Sequence, residues 1–146
     1  MDIASRTREA RQGSLGWLIQ RASTRIEAAL SQALAEQGLT IQQFALLMRV
    51  LEHDDQNQTE LGAAHAMPAW AISRALDGLE SAGLITRRRC PISRRSQRIR
   101  ATPAAQARAP ALHALVAEVN ARAFAPLSPE QRAQLHSLLT ALVRPD

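Results

Sequence analysis

The fold is decided by residues 57–103, which read NQTELGAAHAMPAWAISRALDGLESAGLITRRRCPISRRSQRIRATP. Asn57 and Glu60 have the spacing of a capping box, so a short helix of small residues is expected to begin here. Pro68 suits the first turn of a second helix, which Gly83 ends. The three- and four-residue spacing of apolar residues predicts the buried stripe of that helix, which consists of Ile72, Ala75, Leu76 and Leu79. Two short helices joined by a tight turn are typical of a helix-turn-helix.

The second half of this stretch predicts a β-hairpin. Ile85 is followed by three arginines and Pro91, and Ile99 then lies between Arg98 and Arg100 in strict alternation. β-Branched residues in a two-residue period favour strands, and the alternation places arginine on the exposed faces and at the tip of the hairpin. A basic hairpin directly after a helix-turn-helix predicts a winged helix-turn-helix, which is a mainly α fold with a small β-hairpin wing.

Helical patterns precede this stretch. Apolar residues recur at spacings of three and four from Ser14 to Ala35, which is typical of an amphipathic helix, and Gly38 ends the pattern. Thr40 and Gln43 form a second capping box, so another helix begins there.

Two more helices are predicted after the wing. Thr102 and Pro103 form a cap and first-turn pair, and Ser128 with Gln131 forms a third capping box. Pro110 lies inside the first of these helices. Because an interior proline removes one backbone hydrogen bond, that helix either kinks there or begins later than Thr102.

The composition favours a globular intracellular protein. The chain has 146 residues, enough for one domain, with 46% hydrophobic and 21% charged residues, a balance that excludes a disordered chain. No apolar run approaches the roughly 20 residues that span a bilayer, and no secretory signal is visible. A single cysteine, Cys90, excludes an internal disulfide, so we expect a cytoplasmic location and no membrane contact.

The charge is concentrated in one segment. All 18 basic residues are arginine and the net charge is +5, yet residues 81–117 hold eight arginines and no acid. That segment therefore carries +8, and the rest, with ten arginines and thirteen acids, carries −3. Such a concentration is expected of a surface that neutralises phosphates. The alternative is that arginine reflects genomic base composition and forms a solvated face.

One face of the second helix is suited to a DNA major groove. Arg74 is the best candidate for contacting guanine, and Ser73 suits a base or a phosphate. Trp70 contacts a thymine methyl group or packs into the wing, and Asp77 needs a partner such as Arg74 or a wing arginine. The expected DNA-binding residues are Pro68, Ala69, Trp70, Ser73, Arg74, Arg88, Arg94, Arg95 and Arg98.

Five segments occur in the order and spacing of a known family. They are LTIQQF at 39–44, ELG at 60–62, ISRALDGLE at 72–80, GLITR at 83–87 and TPA at 102–104. This ordered set resembles the MarR (multiple antibiotic resistance regulator) family of bacterial transcription factors. Arg95 matches the arginine that resembling proteins insert into the minor groove, whereas Ser93 stands where the family has an aspartate.

The resemblance implies a homodimer joined by the first and last helices, with two winged lobes on a pseudo-palindromic operator. It divides one compact domain into an N-terminal dimerisation helix (1–38), a winged DNA-binding region (39–102) and C-terminal dimerisation helices (103–146). It also implies a small ligand between the dimer and DNA-binding regions. Trp17, Phe44 and Met48 are the candidate ligand-binding residues for a small aromatic or phenolic effector, although an aromatic on an apolar helical face is also typical of plain core.

We therefore expect a ligand-responsive repressor that binds specific double-stranded DNA as a homodimer. One alternative is a winged protein-interaction module without specific DNA binding, which the missing wing acid and Asp77 favour. Another is a redox- or metal-responsive regulator, through Cys90 or through His53 with its two following aspartates. No spacing joins a nucleophile, a base and an orienting group, so we expect no enzyme, no catalytic residue, no cofactor and no metal site.

Overall fold

The computed structural model describes residues 2–93 and 96–144. Its elements are α1 (Ile3–Gln12), α2 (Leu15–Glu36), α3 (Ile41–Glu52), β1 (Gln56–Asn57), α4 (Gln58–His65), α5 (Ala69–Ser81), β2 (Ile85–Arg89), β3 (Gln97–Ala101), α6 (Pro103–Ala123) and α7 (Pro129–Val143). The strands form one antiparallel sheet in the order β1-β3-β2. The predicted mainly α fold with a small β wing is confirmed.

The chain forms two compact units. The winged unit is Leu30–Leu115, and the terminal unit combines Met1–Ala29 with Val116–Asp146. The core of the winged unit is built from apolar residues of its helices and strands, and its fully buried members include Leu34, Leu46, Leu47, Val50, Leu61, Leu76, Leu79 and Ile99. The predicted stripe of α5 is buried at all four positions, which confirms it.

The predicted capping boxes fix where the helices of the winged unit begin. Thr40 Oγ1 accepts the Gln43 N–H at 3.1 Å, and Gln43 Oε1 accepts the Thr40 N–H at 2.9 Å. Asn57 and Glu60 make the same reciprocal pair at 2.8 and 2.9 Å. Each box satisfies two backbone donors that a helix start leaves free.

The turn between α4 and α5 contains a non-glycine residue in the left-handed region. Ala66 has φ 48° and ψ 33° and ends α4, and Pro68 is the N-cap of α5. Pro68 therefore lies one position before the first turn in which the sequence placed it. After α5, Gly83 has φ 72° and lets the chain turn into the wing without the steric cost that a side chain would add.

The hairpin has the predicted strands and adds one that was not predicted. Arg87 lies opposite Ile99 in the β2–β3 register, and Ile85 and Ile99 are buried. β1 pairs with β3 through only two residues, too few to show a two-residue period in the sequence. One expectation for the wing is wrong: the Arg87 side chain is only 17% exposed, because it packs beside acidic side chains of α5.

α6 continues through Pro110 without interruption, so the expectation of a later start is wrong. Thr102 fixes the early start, because its Oγ1 accepts the Ala105 N–H at 3.2 Å and its carbonyl accepts the Gln106 N–H at 3.1 Å. Thr102 Oγ1 also donates to the Gly83 carbonyl at 2.7 Å, which joins the base of the wing to the end of α5. Pro110 has no backbone N–H, so one intrahelical hydrogen bond is missing at this position.

The terminal unit exposes much of its apolar surface. It contains α1, which the sequence does not predict because its apolar residues have no helical period. α1 buries no residue, and Asp2 caps it by accepting the Ser5 N–H at 2.8 Å. α7 begins at the predicted Ser128–Gln131 box and also buries no residue. Large exposed apolar side chains of this unit include Leu15, Leu138, Leu142 and Val143. Among the described residues, no helix is long and apolar enough to cross a membrane.

Candidate nucleic-acid interface

The exposed face of α5 carries residues that the sequence analysis predicts to contact DNA. Ala69, Trp70 and Arg74 are exposed and Ser73 is half-buried, all in the first half of the helix. Trp70 is 70% exposed, so it does not lie in the core of the winged unit. These side chains share one face because the opposite face supplies the buried stripe.

The N-terminus of α5 has no side-chain cap. Pro68 occupies the N-cap position and makes no capping hydrogen bond. The first-turn backbone N–H groups of a helix have no partner inside the helix, and the helix dipole places partial positive charge there. This end of α5 is therefore suited to an anion such as a phosphate.

A groove of about 750 Å³ lies between the start of α5, α4 and the wing. Ala69 and Ser73 of the predicted DNA-binding set line it, and Arg87 and Arg89 line it from β2. The sequence prediction omitted Arg89. The two-residue period starting at buried Ile85 puts Arg87 and Arg89 on the same face, so this signal was present.

Arg87 is held by two carboxylates of α5. Its Nη2 donates to Asp77 Oδ1 at 2.5 Å and to Glu80 Oε2 at 2.6 Å, and its Nε donates to the same Glu80 oxygen at 2.8 Å. Burial disfavours the charged form of Arg87, but the hydrogen bonds and charges of Glu80 and Asp77 outweigh it and raise its pKa. The expectation that Asp77 pairs with a wing arginine is confirmed.

Two arginines of β3 are bonded to the turn before β1. Arg98 Nη1 donates to the Asp55 carbonyl at 2.7 Å, and Arg100 Nε donates to Asp55 Oδ1 at 3.2 Å. The Arg100 hydrogen bond is the main reason that the pKa of Asp55 is lowered, against a smaller opposing effect of burial. The sequence predicts that Arg98 contacts DNA, and in the structure Arg98 bonds β3 to the Asp55 turn.

The other wing arginines differ in their surroundings. Arg88 and Arg89 are exposed, and neither has an ion-pair partner within the described part of the chain. Arg94 and Arg95, both predicted to bind DNA, lie outside the described residues. Arg88 and Arg89 are therefore exposed positive charges on the described wing, whereas Arg98 is half-buried and donates to a backbone carbonyl.

The candidate ligand-binding residues belong to both units. Phe44 and Met48 are half-buried on α3 and pack against the core of the winged unit. Trp17 belongs to the terminal unit, where the guanidinium groups of Arg11 and Arg21 lie 5.4 and 5.5 Å from its ring centroid. Such cation–π contacts hold the ring in place.

Cys90 and the histidines were the remaining candidates for chemistry. Backbone hydrogen bonds from Ile92 and Ser93, with a smaller effect of Arg98, lower the pKa of the Cys90 thiol. Within residues 2–93 and 96–144, no group of three or more His, Cys, Asp or Glu side chains is placed to hold a metal ion.

Comparison with known proteins agrees with this geometry. The sequence model of the MarR family matches residues 39–97. A probable transcriptional regulator from Pseudomonas aeruginosa is 31% identical, with a TM-score of 0.79 over 90% of this chain and 98% of that one. A MarR family protein of Mycobacterium tuberculosis, solved in complex with DNA, is 25% identical, with a TM-score of 0.80 over 90% and 99% of the two chains.

A third structure shares the fold. It is BpsR of Bordetella bronchiseptica, whose DNA binding is regulated by 6-hydroxynicotinic acid; it is 22% identical, with a TM-score of 0.77 over 92% of this chain and 96% of that one. The family match, the identity to the Pseudomonas protein and the shared winged fold lead to one conclusion. This chain belongs to the MarR family.

Proposed function

We propose that this chain is a transcriptional regulator that binds a specific double-stranded DNA site as a homodimer and releases it in response to a small ligand. The observation that carries the proposal is the exposed first half of α5 beside an arginine-bearing wing. A helix of this kind enters the major groove with its N-terminal residues at the base edges. A regulator acting at the chromosome works in the bacterial cytoplasm.

The contacts divide by chemistry. Arg74 donates to the O6 and N7 of a guanine, and Ser73 bonds a base or a phosphate. Arg88 and Arg89 neutralise phosphates, as do the free N–H groups at the start of α5. Arg94 and Arg95 belong to the same proposed DNA-binding set, in which the family resemblance assigns Arg95 to the minor groove. The support is the exposure of Arg74, Arg88 and Arg89, together with the groove that Ser73 and Arg89 line.

In this proposal the segments 1–38 and 103–146, which include all of the terminal unit, supply the dimer interface. Leu15 is 76% exposed and Leu138 is 70% exposed, which is costly for leucine in water. A nearby apolar groove of about 470 Å³ is lined mainly by leucine, isoleucine and Phe124. A second copy of the chain offers matching apolar helices, and a self-complementary surface gives a twofold dimer.

The effector is a small aromatic or phenolic molecule. The support is that the DNA binding of a protein with this fold, BpsR, is regulated by 6-hydroxynicotinic acid. Phe44 and Met48, which both lie on α3 of the winged unit, are the aromatic and polarisable side chains proposed to contact it. The ligand relieves repression by favouring a dimer in which the two α5 helices no longer match successive major grooves.

DNase I footprinting on the DNA upstream of the coding sequence tests this function. We expect a protected region containing two inverted half-sites, separated by one helical turn of about 10 base pairs or a multiple of it. Addition of small aromatic carboxylic acids and phenols should shorten or abolish the protection. Protection that follows no sequence, at protein concentrations that also cover random DNA, would contradict specific regulation and favour a protein-interaction module.

A further inference from the structure

Arg87 joins the wing to α5 through a three-residue ion cluster, which we call the wing clamp. One guanidinium group donates to both Asp77 and Glu80, and its side chain is only 17% exposed. Asp77 and Glu80 are three residues apart and therefore lie on one face of α5. A planar group with donors in fixed directions can satisfy two carboxylates in only a narrow range of positions.

The wing clamp lies beyond the buried base of the wing, on β2, which pairs with β3 but not with β1. Near the base, Ile85 and Ile99 are buried in the core, and the Thr102 N–H donates to the Leu84 carbonyl at 3.0 Å. Arg87 is the middle residue of β2, two positions further out on the same face as Ile85. Arg89, two positions beyond Arg87, is exposed. The wing clamp therefore marks the outer limit at which α5 restrains the strand.

The two carboxylates would otherwise oppose DNA binding. Asp77 follows Arg74 by one helical turn on the exposed side of α5, so its charge lies near the region proposed to meet phosphates. Arg87 neutralises part of this negative charge. It does so with Nε and Nη2, two of its three guanidinium nitrogens, whereas Arg88 and Arg89 have no ion-pair partner among the described residues.

We propose that Arg87 is a positioning residue for operator recognition: it sets the position of the wing relative to α5 and contacts no phosphate. This inference rests on the proposed function, because the consequence of wing position is measured on DNA. If the wing is held at one angle to α5, then the base pairs that α5 contacts determine which phosphates the wing arginines meet. Loss of the clamp should therefore reduce the preference for the operator more than the affinity for any duplex.

The test compares Arg87→Gln with Arg88→Gln, which removes the same charge one residue away. Fluorescence anisotropy is measured over a salt series on the footprinted operator and on a scrambled duplex. We expect Arg88→Gln to weaken binding to both duplexes equally. It should also reduce the salt slope, which is the slope of the logarithm of the binding constant against the logarithm of salt concentration, by about one counterion. Arg87→Gln should leave the salt slope unchanged and reduce the preference for the operator about tenfold.

A charge exchange supplies the rescue. The double variant Arg87→Glu with Glu80→Arg keeps one arginine and two carboxylates in the cluster, so we expect it to recover operator preference that Arg87→Glu alone loses. If Arg87→Gln weakens binding to both duplexes equally and reduces the salt slope, the proposal is overturned, because that result identifies a phosphate contact. Failure of the charge exchange to recover any preference would also count against a positioning role.

Hydrogen exchange without DNA separates this inference from the proposed function. Arg87→Gln should speed amide exchange in β2 and β3 and leave exchange in α3 unchanged. Unchanged exchange in the wing would overturn the clamp whatever the DNA result. If the wild-type protein shows no operator preference, the proposed function fails, whereas faster wing exchange would still show that Arg87 restrains the wing.

Discussion

Arg74 and Arg88 differ in what they are proposed to contact, although both are exposed arginines of the winged unit. Arg74 lies on α5 and is proposed to meet base edges, whereas Arg88 lies on β2 and is proposed to meet phosphates. We expect Arg74→Ala to cost about 1–3 kcal/mol of discrimination at one base pair in each half-site. Anisotropy on operators with single base changes measures this, and Arg88→Ala is the control. An Arg74→Ala variant that keeps the wild-type base preference would remove Arg74 from base recognition.

Ala66 is strained by its backbone conformation. Its φ of 48° lies in the left-handed region, which a Cβ atom disfavours by roughly 1–2 kcal/mol. We expect Ala66→Gly to relieve this strain and raise the free energy of unfolding in urea. The gain should be at most about 1 kcal/mol, because glycine also has more conformational freedom in the unfolded chain, which offsets part of it. Ala64→Gly, inside α4, is the matched control and should lower it by about 1 kcal/mol. The same sign for both variants would contradict the strain at Ala66.

The acid side of the stability profile should depend on Asp55. Its pKa is lowered in the folded protein, so its contribution is present above the pKa of the unfolded chain and is lost as the pH falls through the lower folded value. We expect Asp55→Asn to reduce the loss of stability below about pH 4. Asparagine keeps the positive φ of 64° at this position. Urea unfolding from pH 2.5 to 7 measures the effect, and an unchanged profile would show that the Asp55–Arg100 pair contributes nothing.

The arginines show how far the sequence determines the site. Alternation in β2 and β3 predicts which faces they share, and Asp77 on an exposed face predicts the need for a partner. The sequence does not predict which arginines serve the fold, because the partners of Arg98 and Arg100 are 43 and 45 positions away. Those pairs depend on β1, a strand too short to leave a pattern.

Among the helices and strands, the residues close together in the sequence are enough to predict where most helices begin. Capping boxes begin α3, α4 and α7 where the sequence predicts them, because the bonds join residues three positions apart. The stripe of α5 follows from helical periodicity alone. The sequence does not predict α1 and β1, because neither has an apolar period. It also leaves open where α6 begins, since the structure fixes that start through the hydrogen bonds of Thr102.

Gly62 determines how closely α4 and α5 approach. A Cβ atom at this position would lie 2.8 Å from Cδ1 of Ile72, which is buried and has little room to move. We expect Gly62→Val to lower the free energy of unfolding by about 1–3 kcal/mol through overpacking. Gly16→Ala in α2 is the control, since its Cβ would meet nothing closer than 3.8 Å, and it should stabilise the protein. A Gly62→Val variant as stable as the wild type would show that the two helices are not in close contact.

At the scale of the whole molecule, the exposed apolar helices of the terminal unit imply assembly. We expect the purified protein to be a dimer, and Leu138→Glu to dissociate it because a charge replaces an apolar contact. His136→Glu, about 200° away around α7, adds the same charge off that face and should leave the dimer intact. Sedimentation equilibrium measures both. A dimer that survives Leu138→Glu would place the interface elsewhere.

The central claim, specific recognition of DNA by α5 and the wing, is tested most directly by one comparison. Fluorescence anisotropy of the wild-type protein is measured on its footprinted upstream site and on a scrambled duplex of equal composition, at two salt concentrations. We predict at least about a hundredfold preference for the upstream site, with affinity for both duplexes falling as salt rises. Weak binding that is equal on the two duplexes would contradict the claim.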